Sequence, residues 1–137
     1  MTLRILVVDD SSLQRRAIAT LLEPYDCQIE EAADGAAGLC AVRALPPDLV
    51  LLDYNMPVLD GLGFLRELRA DPTVAQIAVV MLTANESAST LSAAARLRVR
   101  DYLLKPCDGA TLIAKLSRLV PLKRRDELTS GTDLPHE

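Results

Sequence analysis

Four short apolar segments of this chain end in polar side chains of the kinds that bind metal ions and phosphoryl groups. The segments and their polar ends are 5–10 with Asp9 and Asp10, 49–53 with Asp53, 79–83 with Thr83, and 102–106 with Lys105 followed by Pro106. If these segments are neighbouring parallel strands, their polar ends lie along one edge of one sheet. That edge would then hold three carboxylates, one hydroxyl and one ammonium group.

This set of groups is suited to phosphoryl transfer. Carboxylates held close together repel one another when they are ionised, and a hard divalent cation relieves that repulsion. Mg²⁺ fits best because it binds oxygen ligands and keeps water molecules that a phosphate can displace, and Mn²⁺ could replace it. One carboxylate can then attack phosphorus, while Lys105 and Thr83 each bind one phosphoryl oxygen. The Lys105-Pro106 bond lies at a strand-to-helix turn, where a cis peptide could direct the lysine inward.

The elements that must position these residues alternate along the chain, which is typical of an α/β protein. Strands are predicted at 4–9, 28–32, 49–53, 77–83 and 101–104. The spacing of apolar residues predicts five helices, around 13–22, 36–42, 64–68, 87–97 and 112–120. The strands lack in-and-out alternation, so we expect a mainly parallel sheet with right-handed crossovers and helices on both faces.

Capping residues agree with these elements. Ser11 or Ser12 can cap the first helix, Asn85 or Ser87 the fourth, and Asp108 the fifth. Prolines follow the first three predicted helices, as expected where helices end.

Composition excludes several classes of protein. With 137 residues the chain is one domain by length, and a formal net charge of −4 argues against a nucleic-acid-binding surface. No apolar stretch approaches the ~20 residues needed to span a membrane. No signal-peptide pattern is present either, so we expect a cytoplasmic protein. The three cysteines are widely spaced and favour neither a disulfide framework nor a zinc site. The one histidine, His136, lies beside the C-terminal residue, which nearly excludes a catalytic or phosphate-storing histidine.

From about residue 3 to residue 120 the chain resembles the receiver domain of two-component response regulators. The residues that carry the resemblance occur in the family's order at predicted strand ends: Asp9-Asp10, Asp53 within LLDYNMPVLDG, Thr83 followed by Ala84, and Lys105-Pro106 with Tyr102 three residues earlier. The resemblance implies a flavodoxin-like (βα)5 fold, a three-layer sandwich whose parallel five-stranded sheet has the order 2-1-3-4-5. We therefore expect a receiver domain at 1–121, and the polar composition after it predicts a flexible tail at 122–137.

The resemblance also implies roles for the acidic residues. Asp53 accepts a phosphoryl group from a histidine of a partner histidine kinase or histidine phosphotransfer protein. Asp10, Asp53 and the backbone carbonyl of Asn55 bind Mg²⁺ directly, and Asp9 holds a metal-bound water molecule.

The remaining site residues follow from the same resemblance. Thr83 and Lys105 bind phosphoryl oxygens, and movement of Thr83 toward the phosphoryl group leaves space that Tyr102 fills, which makes Thr83 and Tyr102 a switch. Asn55 and Asn85 match the two positions that tune dephosphorylation, and without an acidic or basic side chain at either we expect no fast rate.

Some positions depart from the family's pattern. Cys107 follows Lys105-Pro106 where an aromatic residue is usual, and Arg98 and Val99 replace the glycine and alanine that commonly end the fourth helix. A non-glycine residue there disfavours a left-handed helix cap. These departures at Arg98, Val99 and Cys107 affect the predicted output surface rather than the phosphorylation chemistry.

The basic residues at 123–125 are expected to form a solvated helix end.

The leading hypothesis is a stand-alone phosphorylated switch that binds an unknown downstream protein. The sequence leaves open a phosphorelay shuttle or sink, and also a receiver excised from a larger regulator or hybrid kinase, although the Met1 start and polar tail weigh against excision. A small Mg²⁺-dependent phosphohydrolase ranks lowest, because such enzymes need a second acid two residues after the nucleophile, where this chain has Asn55. Each site residue taken singly has an ordinary explanation as a cap, a turn residue or a solvated charge, and only their combination favours the site.

Overall fold

Five strands and five helices alternate in the computed structural model, which describes residues 2–56, 59–84, 87–106 and 108–126. In chain order the elements are β1 (Leu3–Val8), α1 (Ser12–Leu22), β2 (Cys27–Ala32), α2 (Gly35–Ala44), β3 (Leu49–Asp53), α3 (Gly61–Ala70), β4 (Ala78–Thr83), α4 (Ala88–Arg96), β5 (Asp101–Leu104) and α5 (Gly109–Leu119). All strand pairs are parallel and the sheet order is β2-β1-β3-β4-β5, so the predicted flavodoxin-like order 2-1-3-4-5 is confirmed. Within the described ranges no helix is both long and apolar enough to cross a membrane.

Two apolar cores cover the two faces of the sheet, because successive strand side chains point to opposite faces. The core on the side of α2, α3 and α4 includes Leu6, Val8, Val50, Leu52, Leu39, Phe64, Leu68 and Ala94. The core on the side of α1 and α5 includes Ile5, Val7, Leu49, Leu51, Ile18, Leu22, Leu112 and Leu116. The predicted three-layer sandwich is therefore confirmed, and its core is almost wholly aliphatic.

Strand β1 ends one residue earlier than predicted, at Val8 rather than Asp9. The Asp9 amide still donates to the Ala32 carbonyl at 3.0 Å, but its carboxylate Oδ1 accepts the Ser11 amide at 2.9 Å. This short-range bond begins the turn into α1, which explains why the acid pair lies just beyond the sheet. β1, β2 and β4 each differ from the prediction by one residue at their starts.

Every helix begins behind a side-chain cap that accepts a backbone amide three residues later. The five caps are Ser11, Asp34, Asp60, Ser87 and Asp108. Three of these caps were among the predicted candidates, whereas the two caps of α2 and α3 were not predicted. The alternative candidate Asn85 lies outside the described residues.

Residues 123–125 are exposed, as predicted, but they are not a helix end, because α5 ends at Leu119 and the segment after it packs against the turn between α1 and β2. The Asp26 amide donates to the Lys123 carbonyl at 2.7 Å, and the Arg125 amide donates to the Pro24 carbonyl at 2.8 Å. The Arg124 guanidinium lies 5.6 Å from the centre of the Tyr25 ring. The predicted domain boundary at 121 and 122 therefore falls inside the packed part of the chain, and the rest of the predicted tail, 127–137 with His136, lies outside the described residues.

Helix α4 ends in a left-handed cap formed by an arginine, which the sequence disfavoured. Arg98 has φ of 62°. Its amide donates to the Ala95 carbonyl at 3.0 Å, and the Val99 amide donates to the Ala94 carbonyl at 3.1 Å, which is the Schellman pattern. Hydrogen bonds from Arg69 offset the cost of this left-handed conformation, because its guanidinium donates to the carbonyls of Leu97 at 2.8 Å and Arg98 at 3.1 Å. Tertiary hydrogen bonds thus override the local preference for glycine.

Replacing Arg98 by glycine should raise the free energy of unfolding by roughly 0.5–1 kcal/mol. The left-handed region costs an L-residue about 1–2 kcal/mol, which exceeds the entropic cost of a glycine. Denaturant titration of the variant measures the change. Arg100→Gly is the matched control, since Arg100 lacks a positive φ, and it should lower stability; a loss of stability in Arg98→Gly would contradict the interpretation.

Candidate functional site

The carboxyl edge of the sheet brings together side chains from four of the five strands. Asp53 is the last residue of β3 and Thr83 is the last residue of β4, while Asp9 follows β1 and Lys105 follows β5. The register pairs Val8 with Leu52 and Asp53 with Leu82, so these strands end nearly level with one another. Level strand ends place the polar residues around a single pocket.

Three carboxylates form the acidic part of this pocket. Asp9, Asp10 and Asp53 each offer one oxygen, and these oxygens all lie within 4.8 Å of one another. Asp9 is 1% exposed and Asp53 is 2% exposed, whereas Asp10 is exposed to solvent. The pocket therefore has a closed floor and one carboxylate at its mouth.

Lys105 supplies the positive charge. Its Nζ lies 2.7 Å from Oδ1 of Asp53 and 3.8 Å from Oδ2 of Asp9. Its backbone amide donates to the Thr83 carbonyl at 2.9 Å, which ties the turn after β5 to the end of β4. The Lys105-Pro106 peptide bond is cis. The lysine thus reaches the acids from the far half of the sheet.

Asp9 is held in an environment that disfavours its charge. Burial raises the pKa of its carboxyl above 3.8, and the neighbouring Asp53 carboxylate adds to this rise, while the hydrogen bond from the Ser11 amide opposes it. Oδ2 of Asp9 is buried and accepts no hydrogen bond within the part of the chain that the structure describes. Arg15, which the sequence analysis did not single out, donates to the backbone carbonyl of Asp9 at 2.7 Å and pairs with Glu31 at 2.9 Å.

These features fit a divalent cation of the Mg²⁺ type. Oδ2 of Asp9 accepts no hydrogen bond from the described residues and pairs with the Lys105 ammonium only at 3.8 Å, so a closer positive ion would stabilise it, because an unsatisfied buried polar group is costly. The three carboxylates each offer one oxygen, and these oxygens are close enough to bind a single ion. Oxygen ligands of this kind are the ones that Mg²⁺ and Mn²⁺ prefer.

The other predicted site residues lie around the pocket. The backbone amide of Asn55 points to Oδ1 of Asp53 at 3.4 Å, and its side chain is exposed. Thr83 is fully buried at the end of β4. Asn85 and Cys107 lie outside the described residues.

Tyr102 lies away from the pocket on β5 and is 40% exposed. Lys115 of α5 holds it there: Nζ lies 5.8 Å from the ring centre, donates to the Tyr102 carbonyl at 3.2 Å, and pairs with Asp101 at 2.9 Å. Lys115 was not among the predicted site residues, although its place on the predicted fifth helix beside the fifth strand could have indicated it.

Comparison with known proteins agrees with this geometry. A family model described as the response regulator receiver domain matches residues 5–117. Chemotaxis protein CheY-3 of Vibrio cholerae serotype O1 is 35% identical over 118 residues, which cover 85% of this chain and 91% of that protein. A probable transcriptional regulator, ycf27, of Porphyridium aerugineum is 35% identical over 133 residues, which cover 97% of this chain and 53% of that protein.

Solved structures show the same fold. Vibrio cholerae chemotaxis protein CheY4 superposes with a TM-score of 0.82 at 28% identity, covering 88% of this chain and all of that one. The signal receiver domain of a signal transduction histidine kinase from Syntrophus aciditrophicus gives a TM-score of 0.79 at 28% identity, covering 86% of this chain and 89% of that one.

The chain belongs to the response regulator receiver domain family of two-component signal transduction, so the predicted family is confirmed. Receivers of this family are phosphoacceptor signalling domains that bind Mg²⁺ at an acidic pocket. The chain spans nearly all of CheY-3 but only about half the length of ycf27.

Replacing Asp9 by asparagine should raise stability in the absence of divalent cations, because it removes an ionised group that burial disfavours. The direction in which stability changes with pH follows from the difference in proton binding between the folded and unfolded states. The raised pKa makes the folded state bind a proton where the unfolded chain has lost it, so this group's contribution falls as the pH rises from 3.8 through the raised value. The advantage of the variant should therefore grow over that interval, as measured by denaturant titration at several pH values.

Asp34→Asn is the control for this substitution, because asparagine caps a helix as well as aspartate does. It should leave stability nearly unchanged. Mg²⁺ should stabilise the wild-type protein more than Asp9→Asn. An Asp9→Asn protein that is less stable without metal would contradict the assigned repulsion.

Proposed function

We propose that this chain is a phosphorylated switch whose Asp53 accepts a phosphoryl group from a histidine of a partner histidine kinase or histidine phosphotransfer protein. One observation carries the proposal: the Lys105 ammonium lies 2.7 Å from the Asp53 carboxylate inside a pocket that two further carboxylates share. A buried acid beside a mobile cation is suited to accept a phosphoryl group and to stabilise the charge that arrives with it.

Transfer exchanges one bond to phosphorus for another. An oxygen of the Asp53 carboxylate bonds to phosphorus as the bond between phosphorus and the donor imidazole nitrogen breaks, and the electron pair of that bond stays on the nitrogen. Catalysis then depends mostly on positioning and on charge around the equatorial oxygens. In this proposal the chain catalyses only its own phosphorylation and dephosphorylation, and it is not a conventional enzyme.

Mg²⁺ would be held by Asp10, Asp53 and the backbone carbonyl of Asn55, with Asp9 binding through a water molecule, and Mn²⁺ could replace it. The ion would neutralise charge on the phosphoryl oxygens when bound. Oδ2 of Asp9 accepts no hydrogen bond from the described residues, and burial raises the pKa of this carboxyl although Lys105 lies 3.8 Å away; both observations support the assignment, since they indicate a carboxylate whose charge is only partly compensated.

Lys105 and Thr83 bind the phosphoryl oxygens in this proposal. The Lys105 ammonium would move from the Asp53 carboxylate to a phosphoryl oxygen, a short movement for a side chain with a flexible stem. Thr83 closes β4 beside it, and its hydroxyl would bind a second oxygen.

The output of the switch is a change at β5 that alters the binding of a downstream protein. Phosphorylation adds about −1.5 to −2 charges at Asp53, which draws the Thr83 side chain toward the pocket. Tyr102 would then fill the space beside β4, and its ring would leave the ammonium of Lys115. The unphosphorylated arrangement is supported by the 5.8 Å distance between that ammonium and the ring centre.

Incubation with acetyl phosphate and Mg²⁺ should add one phosphoryl group to the wild-type protein and none to Asp53→Asn, because the amide is a poor nucleophile. Intact-mass spectrometry in a time course measures this. Asp60→Asn, which alters an acid that only caps α3, is the matched control and should be labelled like the wild type. Equal labelling of Asp53→Asn would refute the acceptor.

Beryllofluoride, a phosphoryl mimic, should shift the Tyr102 resonance in protein labelled with 3-fluorotyrosine. The chain has three tyrosines, so the ¹⁹F spectrum contains one reporter for each of three regions of the protein. Tyr54 follows the acceptor and reports binding, while Tyr25 lies at the opposite edge of the sheet and should not move. Thr83→Val, which keeps the side-chain shape but removes the hydroxyl, should keep the Tyr54 shift and lose the Tyr102 shift. A wild-type spectrum in which only Tyr54 moves would reject the switch.

A further inference from the structure

A second charged pocket lies at the amino edge of the sheet, opposite the acidic pocket. It has a volume of about 130 Å³ and is lined by Arg69, Arg98, Arg100 and the segment 75–78. The Arg100 amide donates to the Val79 carbonyl at the start of β4, whereas Thr83 ends the same strand at the acidic pocket. The length of β4, at ~3.3 Å per residue, therefore separates the two pockets.

Among the residues that the structure describes, no acidic side chain pairs with these three arginines. None of the ion pairs formed among residues 2–56, 59–84, 87–106 and 108–126 involves them. Two acids that lie near these arginines in sequence pair with other residues, since Asp71 pairs with Arg43 and Asp101 pairs with Lys115. The cationic pocket is thus not neutralised by the described part of the chain.

Arg69 contributes charge but few free donors. Its guanidinium donates to the carbonyls of Leu97, Ala75, Ile77 and Arg98 at distances of 2.7–3.1 Å. Carbonyl oxygens satisfy its hydrogen bonds without cancelling its charge. Burial lowers the pKa of Arg69, and the charge of Arg98 lowers it further, which is the effect of cations held close together.

Arg98 and Arg100, in contrast, are exposed residues that line the pocket and can contact a ligand. The one described side-chain hydrogen bond of Arg98 runs to the Ala75 carbonyl at 3.4 Å, at the limit of a hydrogen bond. Arg98 also adopts the left-handed backbone conformation, which glycine would adopt at lower cost. A strained residue that contributes little to internal contacts suggests a role in binding.

We infer that this pocket binds carboxylates of an acidic segment in a partner protein, whether or not Asp53 is phosphorylated. Guanidinium groups bind carboxylates through paired hydrogen bonds, and the pocket is large enough for a side-chain group but smaller than a typical metabolite site. A nucleic acid is disfavoured because the whole chain carries a net charge of −4. The pocket's position at the amino edge makes its occupancy independent of the acidic pocket.

Fluorescence anisotropy with a labelled hexaglutamate peptide at low ionic strength tests the inference on the full chain. The double variant Arg98→Gly/Arg100→Gln should bind roughly tenfold more weakly, the expected effect of losing two exposed charge pairs. Arg16→Gln/Arg118→Gln removes the same charge from exposed positions on α1 and α5 and should bind like the wild type. In the wild type, the peptide should shift amide resonances at 75–78, equally with and without beryllofluoride.

The inference is overturned if both double variants lose binding equally, if the amides at 75–78 do not respond, or if binding requires beryllofluoride. Tighter binding of an oligothymidylate would assign the pocket to nucleic acid instead. Displacement of the peptide by an equal concentration of inorganic phosphate would assign it to a small anion. Normal labelling of Arg98→Gly/Arg100→Gln by acetyl phosphate verifies its fold, and a failure of Asp53 labelling in the wild type would leave these binding results standing.

Discussion

The ion pair between Lys105 and Asp53 is the interaction on which the functional site depends. Burying one carboxylate is costly, and here Asp9 and Asp53 are both buried within reach of each other. The ammonium lies 2.7 Å from Asp53 and offsets part of that repulsion, but it is 3.8 Å from Oδ2 of Asp9, which accepts no hydrogen bond from the described residues. The pocket is therefore only partly neutralised in its resting form. A bound cation would therefore stabilise the pocket. The Lys105 ammonium could then leave the Asp53 carboxylate and pair with an incoming anion.

The fold enforces this arrangement through its two apolar faces. In β3, Leu49 and Leu51 pack toward α1 and α5, whereas Val50 and Leu52 pack toward α2 and α3. A shift of one residue would exchange the two sets, and burial of each such side chain contributes about 1.5–3 kcal/mol that depends on its fit. The register is thus fixed by packing far from the pocket. Because the register is fixed, Asp53 ends its strand level with the neighbouring strand ends, and the acids are held together despite their repulsion.

The sequence was sufficient to predict the elements, the sheet order and the residues at the carboxyl edge, since periodicity, strand ends and the family motif are local signals. The caps Asp34 and Asp60 were missed because each precedes glycine, and Asp-Gly more often marks a turn. Contacts such as those of Arg15 with Asp9 or Lys115 with Tyr102 join positions whose closeness depends on helix rotation, which spacing alone does not define. The packing of residues 123–125 against the α1–β2 turn was missed because their charge suggested only contact with solvent, whereas both their backbone groups and the arginine side chains bond the turn.

Arg69 and Arg98 show why stability alone does not explain the amino edge of the sheet. Removing the Arg69 side chain would leave four backbone carbonyls without their donor, so its burial has a structural reason. No comparable structural reason explains Arg98, because its backbone conformation suits glycine and its guanidinium makes one long hydrogen bond to the described residues. Its charge also opposes that of Arg69. A residue that costs the folded state free energy in two ways, and regains little of it from contacts within the described chain, is best explained by an interaction with another molecule.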